Sequence, residues 1–376
     1  MATENNNKTL NVPNLRFPEF SGEWERCSLG EITTNFSRRN KEEVRYPMFS
    51  VTNNRGFVPQ SEQFEDREMV GEDIKAYKII HKNDFAYNPA RINVGSIAKY
   101  NGNEPCMISS LYVCFTADKR LDNEWLIQLL KTPKMNFYYN INGEGGVRVY
   151  LFYPNFARIK TAFPSLQEQQ KISSFLALLD ERIATQIKII EKLESLIKGL
   201  CQVLFSFEEY ATYLLGDICS ITTGKLDANA MVEGGKYPFF TCAEDVFSID
   251  EYAFDTEALL ISGNGANLGY IHYYNGKFNA YQRTYVLDKF AIDINYVRLY
   301  LESFLKYRIE QEKNTGNTPY IVLGTLSKMK IKVPNTITQQ KISQSIASLK
   351  EKLSIEKQSH KKYEEQKRYL LSNLFI

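Results

Sequence analysis

Histidine is scarce and cysteine is scattered in this 376-residue chain. There are three histidines and six cysteines (Cys27, Cys106, Cys114, Cys201, Cys219, Cys242), with no C-x-x-C among them. A zinc site needs about four clustered ligands, so no metal is expected. Isolated thiols of this kind read as small hydrophobes in a reducing compartment. No apolar run reaches the ~18–20 residues of a membrane span. The opening MATENNNKTLNV lacks the apolar stretch of a signal peptide. A cytoplasmic location and no membrane partner follow as expectations. A basic excess is missing too: formal net charge is +2, and no segment is a polycation. Contacts to nucleic acid would therefore come from local clusters or from partner chains. Pro-Asp never occurs, which leaves a nuclease centre of the Pro-Asp…Asp/Glu-x-Lys kind without an anchor. No Ser/His/Asp order or paired-carboxylate spacing stands out, and no catalytic residue is assigned.

What the chain does have is a repeat. QQKIS at 169–173 returns at 339–343, and a shift of 170 residues continues the match without a gap over some 60 positions. Pro164 meets Pro334, Leu179 meets Leu349, and Leu204-Phe205 meets Leu374-Phe375; upstream, Gly146 meets Gly316 and Tyr150 meets Tyr320. Further ahead the copies align only with gaps, through LGEI (29–32) and LGDI (215–218), YPMFS and YPFFT, and Gly95 with Gly269. A kept framework with divergent loops identifies a tandem duplication.

After Pro164, apolar residues fall at Ile172, Leu176, Leu179, Ile183, Ile190, Leu193, Ile197, Leu200 and Leu204 in steps of four and three, with Gln186 as the one polar interruption. That is the seam pattern of a coiled coil, and a helix over 166–205 would be roughly 60 Å long. The second copy places Ile342, Ile346, Leu349, Leu353, Leu370 and Leu374 on the same register, with Glu356, His360 and Lys367 in its polar middle. Antiparallel pairing of the two helices is expected; two amphipathic helices lying on separate cores is the alternative. The remaining segments read as α/β, with short β-branched and aromatic runs, one short helix each (121–132 and 294–310), and a last strand expected in 142–151 and 314–323. The fold class is therefore α/β: two similar domains (24–162 and 211–332) joined and spaced by two long helices (163–210 and 333–376), after an N-terminal extension (1–23).

Several loops carry side chains suited to DNA. Arg38, Arg39 and Arg55, the last beside Asn54, could hold phosphates or read guanine, as could Arg148, and Arg283 beside Tyr281. Lys225, Asn317 and Thr318 fill comparable places in the second domain. A solvated loop is the plainer explanation of each. GNGANLG (263–269) follows the apolar ALLIS, but Leu268 stands where a dinucleotide loop needs its third glycine, and a strand is expected next. A loop between strands, with Asn264 and Asn267 facing adenine edges, fits better. NPAR (88–91) lacks the second proline and the aromatic of an adenine-methyltransferase loop, so a structural turn is expected there, with Arg91 and Asn93 as DNA contacts.

VPNLRFPEFSGEWERCSLGEI (12–32), FPSLQEQQKISSFLALLDERI (163–183) and its copy VPNTITQQKISQSIASLKEKL (333–353) resemble specificity subunits of type I restriction–modification systems. The likeness covers essentially the whole chain; Thr338 departs from it where the first copy has Glu168. The resemblance implies two target recognition domains, each reading half of a split site on double-stranded DNA. It also implies helices that act as spacer and as dock for two methyltransferase subunits, with two motor–endonuclease subunits joining for cleavage. The chain itself would be non-catalytic and without cofactor, S-adenosylmethionine, ATP and Mg being used by those partners. Two other classes stand beside it, a self-sufficient adenine methyltransferase and a coiled-coil scaffold with no DNA role.

Overall fold

The computed structural model describes residues 11–63, 74–145, 149–206, 209–312 and 320–376. Arg148, Asn317 and Thr318 lie outside them. The chain divides into two compact units, Met1–Thr185 with Ser359–Ile376, and Gln186–Gln358. Each unit holds one α/β domain and half of each long helix.

Inside the domains the duplication is visible strand by strand. In the second, six strands run in the order Ser220–Thr223, Thr284–Asp288, Phe254–Ser262, Ile271–Ala280, Tyr237–Phe240, Phe247–Ile249. The first repeats this register in shorter pieces: Thr33 faces Ala117 as Ser220 faces Asp288, and Tyr87 faces Ile97 as Ile261 faces Ile271. Even the parallel contact of Phe239 with Asn279 has its counterpart, the single bridge of Met48 to Met107. The long second-domain strand Phe254–Ser262 corresponds to two short ones, Lys78–Ile80 and Phe85–Tyr87; the connection between them contains Asn83 at φ 72°, a left-handed conformation that no strand continues through.

Apolar runs such as ALLIS arise because these sheets are covered on both faces, so successive side chains enter different cores. Leu259 and Ile261 join the core under the helix Ile294–Gln311, while Ala258 and Leu260 join Phe240, Phe278 and Val286 on the other face. The first domain sorts its strands the same way, Phe85 and Tyr87 to one side and Ala86 to the other. Each fully buried Leu, Ile or Phe contributes about 1.5–3 kcal/mol.

Each domain closes with a strand that the chain leaves only to start a long helix. Lys160–Phe163 pairs with Glu25–Ser28, and Lys330–Val333 with Ala211–Leu214. These closing strands lie later than expected. Among the described residues of 142–151 and 314–323 there is no strand, only the isolated bridge of Glu144 to Tyr150. The apolar and aromatic residues that suggested a strand are held instead by single hydrogen bonds to a neighbouring loop, and short helices at Tyr153–Arg158 and Leu323–Ser327 come next. The helix Pro133–Asn142 was also not expected; Thr132 caps it by accepting from the Met135 N–H, with proline in its first turn.

The long helices span Leu166–Leu204 and Thr336–Asn373. QQKIS recurs at their starts because it fastens helix to domain. Gln169 donates to the Pro164 carbonyl at 2.9 Å and accepts from the Asp122 N–H at 2.7 Å. Gln339 repeats both bonds, to Pro334 at 2.8 Å and from Asp293 at 3.4 Å. Asp122 and Asp293 are in turn the caps of the domain helices. Ile172 and Leu176, and likewise Ile342 and Ile346, are buried in the domain cores.

The two helices form an antiparallel coiled coil. In the first unit Asp180 pairs with Lys367, and Arg182 donates to the Tyr363 hydroxyl (3.0 Å). In the second, Gln186 donates to the Glu356 carboxylate and Glu194 pairs with Lys357 at 2.6 Å. Gln186 and Glu356 are 170 residues apart, so the repeat makes them equivalents, and they meet each other. Buried polar contacts of this kind hold a coiled coil in one register. Leu193 is buried in the seam; Leu179, Ile183, Ile190, Leu349 and Leu353 are half-buried along it. Ile197, Leu200 and Leu204 pack on the second domain, and Leu370 and Leu374 on the first. Both expected roles, seam and core, are thus divided along one helix.

Candidate nucleic-acid interface

The loop 88–96 connects Phe85–Tyr87 to Ile97–Lys99, and the loop 263–270 connects Phe254–Ser262 to Ile271–Ala280. The shared register makes these the same connection in the two copies. Both are tight. In the first, Asn88 N–H donates to Ser96 O at 3.0 Å; in the second, Ser262 N–H donates to Tyr270 O at 2.9 Å. Both turn back through a glycine with positive φ, Gly95 at 100° and Gly269 at 83°, where other residues are strained. A single residue from the chain preceding the last domain helix is fastened to each: Leu151 N–H donates to Pro89 O (3.0 Å) and Ile321 N–H to Gly263 O (2.8 Å).

In the first copy, Arg91 is exposed on this loop, and Asn93 donates to Asn140 Oδ1 at 3.0 Å. The Asn53–Gly56 turn lies alongside: an added Cβ on Gly95 would sit 3.4 Å from the Asn53 carbonyl oxygen. Asn54 and Arg55, both exposed, line a cleft of about 360 Å³ with Lys99, Asn101 and Lys131. Arg38 is elsewhere. Its guanidinium pairs with Asp84 at 2.7 Å and lies over the Phe36 ring, at the opposite end of the strand Phe85–Tyr87 from Arg91. Its neighbour Arg39 is exposed on a backbone bridge to Lys78.

In the second copy three loops converge. Asn267 Nδ2 donates to Cys242 O at 3.3 Å, Gly263 N–H donates to Arg283 O at 2.9 Å, and Tyr281 N–H donates to Phe240 O at 2.9 Å. His272 Nε2 lies 3.0 Å from Ala243 O and pins the 241–246 loop against the sheet. Arg283 is exposed at a cavity of about 330 Å³ that also holds Gly263, Gln282 and Tyr320. Asn264 is half-buried on the same loop, and Lys225 is exposed one residue before the bridge of Leu226 to Tyr281. Asn264, Asn267, Tyr281, Arg283 and Lys225 are therefore brought to one end of one sheet. The glycine loop leads into the strand Ile271–Ala280, as expected, so no helix N-terminus faces a phosphate there. Lys330 and Lys332 are on the closing strand Lys330–Val333, and Lys332 lies over the Tyr210 ring at 4.5 Å.

Sequence reasoning left two residues out of the site. Tyr150 and Tyr320, each next to the residue fastened to the glycine loop, are 38% and 61% exposed. The repeat had paired them, and their pairing was the available signal. Burial pushes the Cys106 and Cys114 thiols up to about 12, which removes them as nucleophiles. Among the described residues no cluster of three or more His, Cys, Asp or Glu could hold a metal ion, and no helix is long and apolar enough to cross a membrane.

A profile of the type I restriction modification DNA specificity domain matches residues 22–195 and 208–365. The chain is similar to the type I restriction enzyme EcoDI specificity subunit of Escherichia coli, 40% identical over 141 residues, which is 38% of this chain and 31% of that protein. The match thus spans about a third of that relative's length. Among solved structures, the type I restriction–modification system S subunit of M. genitalium superposes with a TM-score of 0.66 at 18% identity, covering 97% of this chain and 99% of that one. A chain from work on complex assembly and conformational transition of the type I R-M system superposes with a TM-score of 0.60 at 15% identity, covering 93% and 97%. At these identities the likeness is one of fold. With two matched domains, joined by paired helices in the order the repeat predicts, this chain belongs to the type I restriction modification DNA specificity domain family.

Proposed function

We propose that the chain is the DNA-reading subunit of a type I restriction–modification complex and reads a bipartite double-stranded target, one half with each domain. The observation that carries this reading is the equivalence of the two glycine loops: one scaffold position, in two copies, presents Pro-Ala-Arg in one and Gly-Asn-Gly in the other. Equal frames with unequal loops suit unequal half-sites, since base edges are told apart by the donors and acceptors offered to them. Arg91, Asn54 and Arg55 would read for the first domain, and Asn264, Asn267, Tyr281 and Arg283 for the second, with Arg39 and Lys225 on phosphates. Arg38, held by Asp84, would orient its loop.

The coiled coil would set the gap between half-sites and dock two methyltransferase subunits. Two motor–endonuclease subunits would complete the complex. Adenine methylation with S-adenosylmethionine and cleavage with ATP and Mg would belong to those partners, leaving this subunit non-catalytic. Footprinting of the complex with its methyltransferase should give two protected segments separated by unprotected base pairs. A single contiguous footprint would count against the proposal. Mapping methylated adenines in cells with and without the gene should return both halves and the gap.

A further inference from the structure

Two readers of different half-sites gain no difference in preference from a residue they share at the same place. Tyr150 and Tyr320 are such a residue. They occupy one position of the repeat, and each precedes the residue whose N–H is fastened to the glycine loop. Both are exposed, although a tyrosine ring carries a large apolar face that a folded chain ordinarily covers. Tyr150 also stacks on Phe152, itself 49% exposed, with centroids 6.3 Å apart and planes 12° from parallel; Val322, at the Phe152 position, is 48% exposed. The apolar surface at this spot is thus kept in both copies while the adjoining loop sequences differ.

We infer that Tyr150 and Tyr320 are matched, sequence-independent DNA contacts, each laying its ring against a backbone deoxyribose at the edge of its half-site. Every nucleotide carries the same sugar, so this contact holds any sequence equally, and discrimination is left to Arg91, Asn264 and their neighbours. The inference rests on the DNA-reading proposal and is separable from it. DNA rather than a partner protein is the occupant favoured here, because the residue following each tyrosine, Leu151 or Ile321, donates its backbone N–H to the loop assigned to reading.

The test uses the full chain bound to its methyltransferase, with fluorescence anisotropy on the target duplex and on duplexes with either half scrambled. Tyr150→Ala and Tyr320→Ala should each weaken binding by about tenfold, the same factor on intact and half-scrambled DNA, and Tyr→Phe should restore it. Unchanged affinity in both alanine variants overturns the inference. So does a new base preference in one half-site, which would make the tyrosine a reader. Loss of the methyltransferase from the complex would assign the rings to a protein interface and overturn it as well. If the wild-type complex bound no split duplex, the DNA-reading proposal would fall, and this contact with it.

Discussion

The two copies treat the start of their long helices alike at one residue and differently at the next. Gln169 and Gln339 make the same bonds, but Glu168 has become Thr338. Glu168 is buried and accepts from Arg16 at 2.8 and 2.7 Å and from the Trp24 indole at 3.3 Å. Trp24 opens the first domain, and Arg16 belongs to the segment ahead of it, which also docks on the end of the second helix through Leu15 N–H to Asn373 O at 2.9 Å. In the second domain the equivalent segment is simply the end of the first helix, and no arginine calls for a carboxylate. The carboxylate thus stands in the copy whose preceding segment supplies Arg16, and threonine stands in the copy whose preceding segment supplies no arginine.

That comparison can be broken or sharpened. The largest effect is expected where the copies agree. Phe205 packs edge-on to Tyr296 with ring centroids 5.8 Å apart, and Phe375 lies 5.7 Å from Trp125, the same position one repeat away. Phe205→Ala and Phe375→Ala should each destabilise the chain by about 3–5 kcal/mol in denaturant unfolding. A large loss from one and none from the other would mean that the helix ends are not equivalent plugs.

An intermediate effect is expected where the copies differ. Glu168→Ala leaves the Arg16 charge, largely buried, without its carboxylate and should cost about 3 kcal/mol. Thr338→Ala should cost no more than about 0.5 kcal/mol, because what position 338 contributes is its backbone N–H, bonded to Asn335 Oδ1 at 2.9 Å. Similar losses from both would remove the explanation given for the substitution.

The smallest effect is chemical. Burial pushes the Cys27, Cys106 and Cys114 thiols of the first domain, and Cys219 of the second, up to about 12. They should resist alkylation at pH 8 in the native chain, where the thiolate fraction is negligible. Cys242, half-buried on the 241–246 loop, should be labelled first in the second domain. Mass mapping after brief iodoacetamide treatment would decide, and early labelling of Cys106 or Cys114 would show that the first-domain core opens.

How much was legible beforehand depended on what kind of signal each feature left. Helices announce themselves through periodicity, and Ile172 to Leu204 sufficed to place the first. A shift of 170 residues likewise exposed the duplication without any structural knowledge. The last strands were misplaced because aromatic and β-branched residues in 142–151 look the same whether a ladder or a single hydrogen bond holds them. Candidate contacts were legible only by residue type. Arg38 and Arg91 read equally well as DNA contacts, yet one is tied to Asp84 and the other stands open on the glycine loop.

The sequence by itself determined the number of domains, the two helices and their seam, because spacing along a chain is a local, periodic property. Only the tertiary structure decided which residues gather at the ends of the sheets, and that Gln186 meets Glu356. Those meetings join positions far apart in the chain, and they depend on strand register and helix direction, which no single stretch of residues contains.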